Sequence, residues 1–224
     1  GASADAAKQE KVPLLTVLGN RPVVHILAIV LGMGLFMAAL FGTLALYTDR
    51  VLLPNQPERI VVGAVGALVT VIGLVTAVVQ LVLLKPVVGF LGERKAVLLG
   101  CVLLLVSAVG FFAFPNLWVF IGFMVIFAFG TGVISPTLQS LLTRVGPEQL
   151  SGQMLGLYQS MFSLALIFGP VIGGLLFEGV SPQAVFVVSG GLMVLTLILG
   201  IGVQRLPLAT VDEKREAVAV SHHG

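Results

Sequence analysis

Charged residues are scarce in this chain of 224 amino acids. Asp, Glu, Lys and Arg together make up 10% of the sequence, whereas 58% of the residues are hydrophobic. A soluble domain is about 25% charged, and it needs those charges to cover its surface. Cysteine is scarcer still. Cys101 is the only cysteine, and a single cysteine excludes a disulfide within the sequence. The composition therefore argues against a soluble protein and against a disulfide-stapled fold.

Motifs of catalysis and of cofactor binding are also missing. The sequence contains no G-x-x-x-x-G-K-[ST] phosphate loop, and Gly130-Thr131-Gly132 lacks the third glycine of a dinucleotide loop. The adjacent His222 and His223 are too few for a metal site. We therefore predict no enzyme activity, no cofactor, no metal and, at a net charge of +2, no nucleic-acid partner.

Long apolar runs dominate what is present. A helix needs roughly 20 apolar residues to cross a hydrocarbon core of about 30 Å. Six windows of this kind can be counted, with the charged residues outside them or at their margins: 23–47, 60–84, 96–114, 117–142, 154–177 and 184–203. Continuous apolar windows favour helices over alternating barrel strands. The sequence therefore predicts an all-α integral membrane protein with six transmembrane helices.

The distribution of basic residues predicts the orientation. Ten of the twelve Lys and Arg residues fall on one side of the six windows, and only Arg50 and Arg59 fall on the other. Because cytoplasmic loops are enriched in Lys and Arg, we expect both termini in the cytoplasm and the bundle in the plasma membrane or a bacterial inner membrane. The predicted organisation is a cytoplasmic linker at 1–20, a transmembrane bundle at 21–205 and a mobile cytoplasmic tail at 206–224.

Polar side chains recur at i, i+4 spacing in three windows, which places each set on one helix face. The sets are Thr76 with Gln80, Thr131 with Ser135 and Gln139, and Gln159 with Ser163. In lipid such stripes should face protein or water, so they are candidates for lining a substrate cavity, although helix-to-helix hydrogen bonds explain them equally well. Met37 and Phe41 in the first window are candidates for an adaptable apolar wall, with core packing as the alternative.

Several short motifs fall at the ends of the windows and within them. The loop after the second window contains Gly92, Glu93, Arg94 and Lys95. The fourth window contains G-T-G-V-I-S-P at 130–136, and the fifth begins with G-Q-M-L-G at 152–156 and continues with G-P-V-I-G-G at 169–174. Together these elements resemble the C-terminal half of a major facilitator superfamily transporter, of the tetracycline-resistance and multidrug drug/proton antiporter type.

That resemblance implies a function and a partner. It implies a six-helix bundle of 3+3 inverted repeats that works with an N-terminal six-helix half. It also implies export of small amphipathic molecules by alternating access. An N-terminal half is disfavoured, because Gly89 stands where its basic loop has an Asp and the fourth window lacks a membrane Arg. No window contains a carboxylate, so proton coupling would belong to the other half. The alternatives are a half-transporter for a sugar or metabolite and a six-helix subunit that transports nothing.

The G-P-V-I-G-G motif also predicts a mechanical property. Pro170 removes one backbone hydrogen bond of the fifth helix, and Gly169, Gly173 and Gly174 lack side chains that would stiffen it. We expect the helix to bend there and to gate one side of the cavity. Plain small-residue packing is the alternative explanation.

Overall fold

The computed structural model of the chain describes residues 21–145 and 151–204, and every regular element in these two ranges is helical. The predicted linker and tail lie outside the described residues. The elements are α1 (Arg21–Tyr47) with a π-helical turn (Thr48–Leu52), α2 (Glu58–Val78) with a π-helical segment (Val79–Leu83), α3 (Leu84–Leu91), α4 (Glu93–Ala113), α5 (Leu117–Val145), α6 (Ser151–Gly179) and α7 (Ala184–Gln204).

The described residues contain six membrane-length segments, which confirms the predicted number of spans. In order, the six spans are Arg21–Leu52, Glu58–Leu91, Glu93–Ala113, Leu117–Val145, Ser151–Gly179 and Ala184–Gly202. Each span contains most or all of one predicted window. Inside the bilayer a continuous helix satisfies all of its own backbone donors and acceptors, which is why uninterrupted apolar windows of this length become helices.

The predicted windows differ from the spans at most of their ends, and the three largest differences at C-terminal ends are extensions of the helix. The first span continues through a π-helical turn that contains Asp49 and Arg50. The second continues through α3, so Lys85 lies inside a helix rather than after it. The fourth reaches Arg144 in its last turn. Long basic side chains can extend along a helix toward the interface, so a charge does not mark where a membrane helix ends.

Two connections in the described part of the chain are determined by single residues. Gly92 alone separates α3 from α4, with a φ of +76° that glycine adopts without strain. Asn116 caps α5, where its Oδ1 accepts hydrogen bonds from the N–H groups of Trp118 and Val119 at 3.0 and 3.4 Å. We call the end of the bundle at Gly92 the basic side, and the end at Asn116 the opposite side.

The packing of the spans reveals two related halves. The first span packs mainly on the fifth and sixth, and the fourth span packs mainly on the second and third. Exchanging spans one to three with spans four to six reproduces the same set of neighbours. Because each repeat has three spans, the second repeat enters the membrane from the side opposite to the first. The 3+3 inverted repeat and the predicted fold class are therefore confirmed.

An aromatic cluster fills the core toward the opposite side. Tyr47 lies edge-on to Phe186 at 4.9 Å between ring centroids, and Phe111 lies 4.5 Å from Phe120. The Tyr47 hydroxyl donates to the carbonyl oxygen of Phe111 at 3.3 Å, so the buried phenol has a partner. This cluster joins the first, third, fourth and sixth spans.

Burial is distributed unevenly over the spans. In the most apolar stretch of the first span 67% of the residues are buried, and in the third and fourth the share is 50%. In the second and fifth spans it is only 17% and 22%. The second and fifth spans occupy corresponding places in the two repeats. Each therefore leaves most of its surface uncovered by the bundle.

Candidate substrate-facing surface and basic loop

Two of the predicted cavity hydroxyls are used inside the bundle. Thr76 donates from Oγ1 to the carbonyl oxygen of Ala128 at 3.4 Å, which links the second span to the fourth. Thr131 is 7% exposed and donates to the carbonyl oxygens of Phe127 and Ala128 in its own helix, both at 3.1 Å. The Thr76 bond matches the alternative of helix-to-helix hydrogen bonding, whereas the hydroxyl of Thr131 is satisfied within its own helix. Cavity lining by Thr76 and Thr131 stays a prediction.

The predicted glutamines lie in more open positions. Gln80, in the π-helical segment of the second span, and Gln159, in the fifth, are both exposed, whereas Gln139 and Ser163 are half-buried. Gln80 and Gln159 thus lie on the two spans that the bundle leaves uncovered. A side-chain amide has four hydrogen-bonding sites that lipid cannot satisfy. This makes contact with protein or water the favourable environment for these two faces.

Ser135 has a partner that sequence reasoning missed. Its Oγ lies 2.7 Å from the hydroxyl oxygen of Tyr158, which joins α5 to α6. The ring of Tyr158 stacks on Phe162 with 6.4 Å between centroids. A tyrosine within an apolar span needs a partner for its hydroxyl, and that requirement could have singled out Tyr158. The pair is a polar contact between the fourth and fifth spans, in which Tyr158 is buried at 5% exposure and Ser135 is half-buried.

The apolar residues of α1 divide into core and surface. Met33 and Phe36 are buried at 2% and 1% exposure, and Phe36 lies edge-on to Phe127 at 5.4 Å. Met37 and Phe41 are half-buried and pack only partly against the core. The role of Met37 and Phe41 as an apolar wall for a substrate stays a prediction.

The glycines of the fifth span bring it against α1. A Cβ on Gly169 would collide with Ala38, and one on Gly173 would lie 3.1 Å from the carbonyl oxygen of Ala39. Pro170 approaches Gly42, where an added Cβ would lie 2.8 Å from the Cα of the proline.

Gly174 has open space around it. Its surroundings therefore differ from those of Gly169 and Gly173, although all three belong to one motif. The helix is continuous from Ser151 to Gly179 with Pro170 inside it. The motif thus forms a close helix contact in this conformation, and its role as a gating bend stays a prediction.

The basic loop, which consists of Gly92, Glu93, Arg94 and Lys95, contacts the fourth span through Glu93. The Oε1 atom of Glu93 accepts a hydrogen bond from Ser140 Oγ at 2.8 Å and lies 3.1 Å from Nη2 of Arg144. The side chain of Glu93 is 17% exposed and that of Arg144 is 59% exposed. Gly92 supplies the turn, and Arg94 and Lys95 follow in the first turn of α4. The sequence pattern indicates the loop motif but neither of the two partners of Glu93.

Comparison with protein families settles the affiliation of the chain. The family model of the Major Facilitator Superfamily matches residues 39–221. The chain belongs to this superfamily. It is thus a multi-pass membrane domain of a transporter family rather than an enzyme.

Relatives of this major facilitator chain include a multi-drug efflux pump and two drug-resistance proteins. It is 29% identical to the multi-drug resistance efflux pump PmrA homolog of Lactococcus lactis over 53% of this chain and 30% of the relative. It is 28% identical to multidrug resistance protein 2 of Bacillus subtilis over 70% of this chain and 37% of the relative. It is 31% identical to the class C tetracycline resistance protein of Escherichia coli over 48% of this chain and 27% of the relative. The chain therefore spans about a third of the length of these relatives.

A solved structure supports the fold of the major facilitator chain. The crystal structure of the peptide transporter POT in complex with sulfate matches 91% of this chain and 44% of the other, with a TM-score of 0.66 at 15% identity. At this identity the match concerns the fold alone. It agrees with a bundle that corresponds to somewhat less than half of that transporter.

Proposed function

We propose that the chain is the C-terminal half of a secondary active transporter that exports small amphipathic organic molecules by alternating access. The observation that carries the proposal is the pair of uncovered spans. Only 17% and 22% of the most apolar stretches of the second and fifth spans are buried. These spans are related by the inverted repeat, and in this superfamily the transport site lies between two six-helix halves. An N-terminal half is the partner that would cover both at once.

The exposed glutamines support a protein partner rather than lipid alone. Gln80 and Gln159 lie on the uncovered spans and are both exposed. Moving an amide from water into an apolar environment without a hydrogen bond costs roughly 2–7 kcal/mol. Contact with a second bundle, or with a water-filled cavity between the bundles, removes that cost. Lipid contact on all sides does not.

The chemistry of the surface supports an amphipathic substrate. Met37 and Phe41 provide apolar area, and Ser135, Gln139, Gln159 and Ser163 provide neutral hydrogen-bonding groups. Adaptable apolar walls with a few polar groups suit varied amphipathic ligands. The names of the two multidrug relatives and of the tetracycline resistance protein point to the same class of substrate.

Proton coupling is assigned to the other half in this proposal. In the described part of the chain the carboxylates lie at the ends of spans: Asp49, Glu58, Glu93 and Glu178. None of them lies at mid-membrane depth, where a coupling carboxylate would exchange protons with the cavity. The basic side would face the cytoplasm of the plasma or bacterial inner membrane, with both termini there.

A reconstitution experiment tests the proposal. Proteoliposomes would carry the chain alone, the chain with a matching N-terminal half, or no protein, under an imposed pH gradient. We expect gradient-driven transport of a drug-like cation only when both halves are present. Transport by the chain alone would overturn the half-transporter assignment, and transport of a sugar in place of the cation would replace the substrate class.

A matched pair of variants sharpens the test. In the two-half transporter, Gln80→Leu should lower the transport rate by about ten-fold, the effect of losing one good hydrogen bond of about 1.4 kcal/mol. Thr70→Val is the control, because Thr70 is an exposed polar residue of the same span whose hydroxyl already donates to the carbonyl oxygen of Gly66 at 2.7 Å. Equal rates for both variants would show that the Gln80 face is not used in transport.

A further inference from the structure

A pocket lies on the basic side, between the junction of α3 with α4 and the end of α5. Its volume is about 540 Å³. Leu91 and Leu141 form part of an apolar wall, and Glu93, Arg94, Lys95 and Arg144 form the charged wall. The pocket is thus amphipathic and lies where two membrane spans end. It is separate from the surface to which we assign the transported substrate.

The charged wall carries a net positive charge. Among the described residues that line the pocket, three side chains are cationic and one, Glu93, carries a carboxylate. That carboxylate is 17% exposed and already engaged by Ser140 at 2.8 Å and Arg144 at 3.1 Å. The negative charge is therefore directed into the bundle, whereas Lys95 is exposed. The N-terminal end of α4 adds a positive helix dipole at the same place.

The apolar surface beside the pocket continues toward lipid. Phe90 is 91% exposed at the end of α3, directly before Leu91. Gly89 and Gly92 have no neighbouring atom within 4 Å of an added Cβ, so the backbone is open on this side. An occupant that fits both walls needs an anionic group and a hydrocarbon part. Leu141 is already buried at 1% exposure, so an inorganic anion would satisfy the cations but leave the half-buried Leu91 and the exposed Phe90 against water.

We propose that this pocket binds an acidic phospholipid of the adjacent leaflet. The headgroup phosphate would lie against Arg94 and Lys95, and an acyl chain would lie along Leu91 toward Phe90. Basic pockets at the ends of membrane helices are the sites at which acidic headgroups bind, and each Lys or Arg near the surface strengthens such binding by about five-fold. The site goes beyond the proposed transport function and does not depend on which substrate is carried.

A fluorescence experiment measures the binding directly. Phe90→Trp in a Trp118→Phe background places the only tryptophan of the chain beside the pocket at a position that is already exposed. The protein would be reconstituted with phosphatidylcholine and increasing fractions of phosphatidylglycerol, with bromine on the acyl chains of one lipid or the other. We expect brominated phosphatidylglycerol to quench the fluorescence more strongly than brominated phosphatidylcholine at equal mole fraction.

Variants of the charged wall decide whether the preference belongs to the pocket. Arg94→Gln and Lys95→Gln should each lower the preference for phosphatidylglycerol by about five-fold. Lys85→Gln is the matched control, since Lys85 is an exposed cation of α3 that does not line the pocket, and it should change the preference less than two-fold. Thermal unfolding of each variant in detergent confirms that the fold is retained.

Three outcomes would overturn the proposal. The first is an unchanged preference in the Arg94 and Lys95 variants. The second is an equal loss in the Lys85 variant, which would indicate diffuse attraction to the surface rather than a site. The third is removal of the preference by inorganic phosphate at constant ionic strength, which would show that the pocket holds a soluble anion instead of a lipid.

Discussion

Arg50 and Glu178 join the ends of the first and fifth spans on the opposite side of the bundle. Nη1 of Arg50 lies 2.8 Å from Oε1 of Glu178, and its guanidinium carbon lies 5.5 Å from the ring centroid of Phe177. The same two spans are in close contact at Gly169 near mid-membrane. The ion pair therefore lies at the end of the same interface in which small residues allow the two spans to pack closely deeper in the membrane.

The first prediction concerns the strength of this ion pair. Both side chains are about half exposed, at 49% and 57%, and exposed pairs contribute about 0–1 kcal/mol because water screens them. Glu178→Gln should therefore lower the free energy of unfolding by less than about 1 kcal/mol. The double variant Arg50→Glu with Glu178→Arg should regain part of the stability that Glu178→Gln loses. In this variant the two charges attract again, but the contact between Arg50 and Phe177 is gone. Denaturation in SDS measures both, with the exposed Glu58→Gln as control.

The second prediction separates two glycines of one motif. Gly169→Ala should destabilise the bundle by about 1–3 kcal/mol, the usual cost of overpacking, because the new methyl group would collide with Ala38. Gly174→Ala should be neutral or slightly stabilising, because there is open space around that residue. Both changes gain the same helix propensity, so their difference isolates the contact with α1.

The same pair of variants tests the gating role of the motif. If the close contact alone matters, the loss of transport in Gly169→Ala should follow its loss of stability, and Gly174→Ala should transport normally. A Gly174→Ala variant that is stable but inactive would show that flexibility of the fifth span is needed as well. Thermal unfolding and transport by the two-half protein are measured on the same preparations.

The third prediction concerns the hydrogen bond between Ser135 and Tyr158. Interhelical hydrogen bonds in membranes contribute about 0.6 kcal/mol on average and up to about 1.7. Ser135→Ala and Tyr158→Phe should each destabilise the bundle by an amount in this range, and the double variant should lose little more than either. Ser160→Ala is the control, because that exposed hydroxyl donates within its own helix to Gly156 at 2.9 Å. Fully additive losses would show that the two hydroxyls do not stabilise each other.

The number of spans could be predicted because it depends on local sequence properties, whereas the repeat was implied by the family resemblance. Length and continuous hydropathy define a span without knowledge of its neighbours. The ends could not be predicted as well, since Lys85 lies inside the second span, where its long side chain can extend along the helix. The π-helical segment after Val78 leaves no signal in the apolar pattern.

The facing of individual residues was harder to predict than the spans themselves. Residues 164–177 of the fifth span are all apolar, so no periodicity there indicates that Gly169 and Gly173 face α1 while Gly174 does not. The partner of Ser135 could not be read from spacing either, because Tyr158 lies on another helix. Contacts between helices depend on the rotation of each helix, and a uniformly apolar sequence does not determine that rotation.

The last prediction concerns orientation in the membrane. Ten of the twelve Lys and Arg residues belong to one side of the chain, and such loops stay in the cytoplasm during insertion. In a Cys101→Ala background, Glu178→Cys should react with an impermeant maleimide added to intact cells. Lys95→Cys should react only after the cells are permeabilised, because it lies on the basic side. Glu58→Cys serves as a second reporter of the opposite side, since Glu178→Cys also removes the ion pair with Arg50. Labelling of Lys95→Cys in intact cells, with no labelling at positions 58 and 178, would reverse the orientation, and the acidic phospholipid would then have to come from the outer leaflet.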